Sequence, residues 1–197
     1  MTNKKEKLCI FCGETADSRE HVFAKCFFNK PYPNNMMTVP TCQTCNQSFS
    51  IDEQYLFYLI EYLRSIEEKC GDPVSELAEK TYQHNQSLEI RMLTSLQMNN
   101  KGYVYFQIEA KRVNRVVLKI ACCLIFLKKN IVVPIEQLHC RWAMKPQLSI
   151  EQFRTVMKIH FNVLQKGKVK YYFAPVNKEV GFCIGEFFYA CVQWDGY

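Results

Sequence analysis

The sequence predicts an α+β fold: an N-terminal metal-held module, then helices, then a C-terminal antiparallel sheet. Three observations predict it. Two C-x2-C pairs, Cys9/Cys12 and Cys42/Cys45, bracket a short polar segment too poor in apolar residues to build a core alone. Apolar residues recur at helical spacing in "EQYLFYLIEYLRSIEEK" (53–69) and "KRVNRVVLKIACCLIFLKK" (111–129). "IHFNVLQ", "VKYYFAPV" and "EVGFCIGEFFYACVQW" are rich in aromatic and β-branched residues and are separated by "KGK" and "NK", the pattern of an antiparallel meander.

In chain order, "SIDE" (Ser50 to Glu53) reads as a capping box, with Ser50 capping a helix and Glu53 bonding back to the cap. That helix is expected to run to about residue 69, where Gly71 and Pro73 stop it. A shorter helix is expected over 73–83, and "GYVYFQIEA" (102–110) alternates like a strand. In the helix over 111–129, Val113, Val116, Val117, Ile120, Leu124 and Leu127 mark the buried face. Ser149 offers another capped helical start. The expected division is a module over 1–70 and an α+β body over 71–197.

Apolar residues make up 48% and charged residues 22%, a globular balance and not a disordered one. The most apolar run, "VVLKIACCLIFL", is too short to span a membrane and carries Lys119, so no membrane association is expected. The basic start "MTNKKEKLC" is followed by no signal-type hydrophobic segment, and a cytoplasmic location is expected. Eleven cysteines, an odd number, argue against a disulfide framework there. Cys122, Cys123, Cys183 and Cys191 read as small buried hydrophobes, and Cys26 as packing beside Phe27 and Phe28. Cys70 and Cys140 have no obvious partner. The net charge of +6 fits a polyanionic partner without requiring one.

Cys9, Cys12, Cys42 and Cys45 have the spacing of two knuckles that hold one tetrahedral Zn²⁺. Four thiolates close the coordination shell, so chemistry has to come from other groups. Glu20 and His21 lie between the two knuckles, and Asn46 follows the last thiol. A carboxylate, an amide carbonyl and water suit a hard cation such as Mg²⁺, and a neutral imidazole beside them suits proton abstraction. The plainer alternative is a surface acid beside a structural histidine.

The arrangement "CIFCG…SREHVF…NNMMTVPTCQTCNQSFSIDE" resembles the HNH endonucleases, the ββα-metal or His-Me finger nucleases, in their four-cysteine form. The resemblance covers residues 9 to about 55. It implies an N-terminal zinc-stabilised ββα-metal module in which Cys9, Cys12, Cys42 and Cys45 hold structural zinc. It further implies His21 as general base and Glu20 and Asn46 as ligands of a catalytic Mg²⁺ or Mn²⁺. Asn35, or its neighbour Asn34, would brace the loop that carries the histidine. Ala24 stands where many relatives have proline. The implied reaction is hydrolysis of a phosphodiester in DNA, leaving 5′-phosphate and 3′-hydroxyl ends. Glu53 would share a helix face with Asn46 if one helix held both, although its capping role is the preferred reading.

Lys111, Arg112, Arg115 and Lys119 are the candidate nucleic-acid contacts, with further basic groups at Lys128, Lys129, Lys166, Lys168 and Lys170. A charged stretch on an amphipathic helix is, however, more often its solvated face. Aromatic residues of the C-terminal strands, and His84, His139 and His160, read as structural or surface groups. Two rival readings stand beside the nuclease. One is a non-catalytic zinc module that binds nucleic acid or protein. The other is an HNH effector of a bacterial (phage) defence or mobile-element system acting with a partner ATPase. A homodimer through the apolar 53–68 helix is a further expectation.

Overall fold

The computed structural model describes residues 7–67, 90–91, 94–98, 100 and 104–195. Two short strands, β1 (Ser18–His21) and β2 (Thr38–Thr41), form an antiparallel hairpin in which Glu20 pairs with Val39 and His21 with Thr38. Helix α1 (Gln43–Glu67) follows directly. A second small hairpin joins β3 (Leu96–Met98) to β4 (Val104–Phe106). Helix α2 (Ala110–Lys129) leads to β5 (Leu138–Met144), helix α3 (Ile150–Met157) and strands β6 (Asn162–Gln165), β7 (Val169–Ala174), β8 (Glu179–Ile184) and β9 (Phe188–Trp194). The large sheet is antiparallel in the order β5-β9-β8-β7-β6. The α+β class, the long second helix and the C-terminal meander are as predicted. The helix expected over 73–83, its stop signals Gly71 and Pro73, Cys70 and His84 lie outside the described residues.

The start of α1 differs from the sequence reading. The helix begins at Gln43, so Ser50 lies inside it and gives its hydroxyl proton to the Gln47 carbonyl at 2.9 Å. The real cap is non-local. The Gln43 N–H donates to Asp17 Oδ1 at 2.8 Å, and the Cys45 N–H donates to Cys42 Sγ at 3.4 Å. Two of the donors that every helix start leaves free are thereby satisfied. Glu53, released from capping, is buried. Tyr55, Leu56, Tyr58, Leu59 and Ile60 are buried with it, which makes the 53–60 stretch core.

Helix α2 obeys its predicted period. Val113, Val116, Val117, Ile120 and Leu124 have no exposed surface, and only Leu127, in the last turn, is open at 39%. Asn130 ends the helix in the left-handed conformation, φ 55°, and its N–H returns to the Phe126 carbonyl. α2 lies between α1 and the sheet: Trp142 on β5 donates its indole N–H to Asn114 on α2 at 2.7 Å. Phe23, two residues beyond β1, meets Phe182 on β8 edge-on at 5.6 Å. One continuous core therefore runs from the first hairpin through both helices to the sheet.

α1 and α2 are also joined by charge. Asp52, buried on α1, accepts from Arg112 at 2.5 Å and Arg115 at 2.7 Å, both on α2. Arg115 adds bonds to the carbonyl and hydroxyl of Ser48 and lies over the Phe49 ring. Replacing Asp52 with alanine removes charge-assisted bonds to both arginines and is expected to cost about 2 kcal/mol. A urea midpoint unchanged from wild type would show that the clasp contributes nothing. β3 and β5 are strands that the sequence reading lacked, and α3 starts at Ser149 as predicted, with Ser149 and Gln152 bonding each other reciprocally. Among the described residues no helix is long and apolar enough to cross a membrane.

Candidate metal centre and the buried charge cluster beside it

The first knuckle is a tight turn. The Cys9 N–H bonds to the Glu14 carbonyl and the Gly13 N–H to the Cys9 carbonyl, with Gly13 at φ +79°, which a side chain rarely adopts. The second knuckle is the entry to α1, which turns Cys42 and Cys45 back toward the turn. All four thiol sulfurs lie within 4.8 Å of one another, and Cys12 and Cys42 are 3.6 Å apart. Zinc–sulfur bonds of about 2.3 Å in a tetrahedron put sulfurs about 3.8 Å apart, so the four residues fit a zinc ion.

The environment favours a thiolate at Cys9. Burial opposes its ionisation, but hydrogen bonds from the Thr41 hydroxyl and from the backbone at Cys42, Phe11 and Cys12 outweigh this and bring it to about 6. Cys45 is pushed well up by burial and by the other three thiols. Such crowding of thiols is relieved when a cation sits among them. Cys26 does not join the group: its thiol points at the Glu53 carbonyl at 4.0 Å, and burial pushes its pKa up.

Glu20 and His21 end β1. Alternation along the strand turns Glu20 inward, where it meets Lys119 of α2. Lys119 has no exposed surface. Its ammonium donates to Glu20 Oε1 at 2.8 Å, Glu53 Oε1 at 2.7 Å, the Val22 carbonyl at 3.3 Å and the His21 carbonyl. The reading of Lys119 as a nucleic-acid contact is thereby corrected: it sits among buried apolar neighbours and touches no solvent. Burial works against its charge, yet Glu53, Cys123 and Glu20 together hold its pKa above the usual lysine value. Glu20 Oε1 is used by the lysine, while Oε2 is buried without a partner. Burial is also what raises the Glu20 carboxyl.

His21 Nδ1 is likewise buried without a partner. Burial first, then Lys25 and Lys119, lowers the His21 pKa and keeps its ring neutral. Asn46, in the first turn of α1, gives its amide protons to Ser18 Oγ at 2.7 Å and to the Arg19 carbonyl at 3.2 Å. It is thus clasped to the strand that carries Glu20 and His21, and it shares α1 with Glu53. Asn35 lies exposed in the turn before β2, and no hydrogen bond from it braces His21. The side-chain bond to the histidine's carbonyl comes from Lys119.

Of the other basic candidates, Lys111 is exposed, while Arg112 and Arg115 are held by Asp52. His139 pairs with Asp195 on the surface at 2.6 Å, and His160 is exposed. A cleft of about 950 Å³ runs between the first knuckle and the end of α2, lined by Cys9, Arg19, Phe126 and Val133. Neither Glu20 nor His21 lines it, so it belongs to the other side of the hairpin. Sequence reasoning missed the Glu20–Lys119–Glu53 cluster. Its signal was present: Lys119 stands three residues after Val116 and four before Cys123, on the buried stripe of α2. In comparisons with known proteins the chain matches no family model, no curated protein and no solved structure.

Proposed function

We propose that the chain is a metal-dependent endonuclease of the HNH type that hydrolyses phosphodiester bonds in DNA. The observation that carries this reading is the pair of unpartnered buried atoms on consecutive residues, Glu20 Oε2 and His21 Nδ1, beside a helix start held by four thiols. Buried polar atoms without partners are rare, and where they persist they often mark functional sites. The order of parts, a zinc knuckle, a hairpin carrying Glu-His and a helix carrying Asn46, supports the same reading.

In this reading Glu20, through Oε2, and Asn46 would hold Mg²⁺ or Mn²⁺, which supplies positive charge to the phosphate and the leaving oxygen. His21, neutral at pH 7, takes a proton from the attacking water. The zinc-bound hairpin keeps these groups in register. Exposed lysines such as Lys111 would contact phosphates without reading bases.

A second reading has a specific observation in its favour. Lys119 already neutralises Glu20, as it would in a module that binds nucleic acid or protein without cutting. Nicking of supercoiled plasmid separates the two. Wild-type protein with Mg²⁺ or Mn²⁺ is expected to nick, EDTA is expected to abolish nicking, and His21→Ala is expected to lower the rate by about 10²–10⁴-fold while still binding zinc. A zinc-loaded wild type that binds DNA and leaves it intact would favour the binding module.

A further inference from the structure

We propose that Lys119 is a positioning residue that leaves Glu20 a single oxygen for a metal ion and thereby selects which cation the site takes. The inference rests on the nuclease reading above. It starts from the two oxygens of one carboxylate. Oε1 is held by the Lys119 ammonium at 2.8 Å, and Oε2 is buried and unbonded. With Oε1 bonded to an ammonium, Glu20 favours binding a metal through Oε2 alone over chelating it.

The ammonium is itself fixed. Glu53 Oε1 accepts from it at 2.7 Å, and the carbonyls of His21 and Val22 accept two further bonds. It has no exposed surface. Besides the pairing of β1 with β2, one nitrogen atom therefore bonds both the Glu20 carboxylate and the His21 carbonyl, and links them to α2. Glu53 supplies the counter-charge that lets a lysine stay ionised there.

The consequence follows from cation chemistry. Mg²⁺ is small, demands an octahedron, keeps several waters and is satisfied by one or two carboxylates. Ca²⁺ takes six to eight oxygens and commonly uses both oxygens of a carboxylate. A one-oxygen Glu20 thus suits Mg²⁺ or Mn²⁺ and penalises Ca²⁺.

The test uses the zinc-loaded full chain and titrates Mn²⁺ and Ca²⁺ separately by calorimetry. Lys119→Met combined with Glu53→Gln removes the ammonium together with one of its counter-charges. The ratio of Ca²⁺ to Mn²⁺ affinity is expected to move toward Ca²⁺ by about tenfold or more. A measurement on the wild type covers the case in which that variant does not fold. The infrared carboxylate bands that Mn²⁺ shifts, and that vanish in Glu20→Gln, are expected to have the wide splitting of a carboxylate bound through one oxygen. An unchanged affinity ratio in a folded variant, or the narrow splitting of a chelating carboxylate, would overturn the proposal. If the wild type binds Mn²⁺ and nicks plasmid but either of those results is found, only the positioning role falls. If the wild type binds neither cation and leaves DNA intact, the nuclease reading falls and this inference with it.

Discussion

Lys119→Met is expected to lower the unfolding free energy by about 3–5 kcal/mol, because it leaves two buried carboxylates facing each other with no cation between them. Glu20 and Glu53 both bond the same ammonium, at 2.8 and 2.7 Å. The carbonyls of His21 and Val22 lose donors in the same step. The measurement is the urea midpoint, with an unchanged slope required so that the two curves compare the same transition. A second variant distinguishes stability from function. Lys119→Met with Glu20→Leu and Glu53→Leu removes all three charges, and buried ion clusters replaced by apolar groups are often neutral or stabilising. This triple variant is expected to recover most of the lost stability and to have no cleavage activity. If Lys119→Met alone unfolds at the wild-type midpoint, the cluster is not holding the hairpin to α2.

That contrast bears on why a charge cluster sits in this core at all. An apolar triad would hold α2 against the hairpin as well and at lower desolvation cost. What an apolar triad lacks is a hydrogen-bond donor aimed at the backbone of His21, and a carboxylate with one oxygen left over. Val22 and Phe23, packed against the sheet, supply the fold energy in this region, and the ammonium adds direction. The clasp at Asp52 does related work between the same two helices, with the difference that Arg112 and Arg115 remain partly in water.

The features legible in the sequence are those whose cause is local. The meander could be read from its aromatic and β-branched stretches and from the breaks at "KGK" and "NK", although the last stretch divides into two strands, β8 and β9. Helix α2 could be read from its period, and the thiol cluster from its spacing. The features that were not legible depend on residues far apart in the chain. The start of α1 is capped by Asp17, 26 residues upstream of Gln43, and by a thiol, whereas "SIDE" satisfied every local rule for a start and still fell inside the helix. β5 was missed although "LHCRWAM" alternates, with Leu138, Cys140, Trp142 and Met144 on one face and His139, Arg141 and Ala143 on the other; its register comes from pairing with β9, far along the chain, over seven residues. Lys119 reads locally as a nucleic-acid contact because its partners, Glu20 and Glu53, lie 99 and 66 residues away. The order of Glu20, His21 and Asn46 along the chain could be read, whereas the Lys119 ammonium that bonds Glu20 and the His21 carbonyl could not.

Removing zinc is expected to have the largest effect of all. Structural zinc in small modules is worth an apparent 10–16 kcal/mol at pH 7, as much as or more than the 5–15 kcal/mol that holds a typical domain together. Mass spectrometry of the native protein is expected to find one zinc per chain. Stripping it with a strong chelator is expected to expose the amides of Cys9, Ile10 and Val22 to hydrogen exchange, since these bond across the knuckle and hairpin. Loss should spread into α1, whose entry is made by two of the ligands. Cys42 then allows the metal to be separated from the cap. Its sulfur accepts the Cys45 N–H and also faces the other thiols. Serine is a better helix cap than cysteine but a poor zinc ligand, so Cys42→Ser keeps the first role and loses the second. If the metal governs the fold, Cys42→Ser is as damaging as Cys9→Ser, a ligand with no part in the cap. If Cys42→Ser is tolerated and Cys9→Ser is not, the sulfur at position 42 is a cap first and the zinc site rests on the remaining three thiols. If both are tolerated in a fully folded, zinc-free protein, the four thiols are packing groups. The hairpin that carries Glu20 and His21 would then be held by the core and by Lys119 alone.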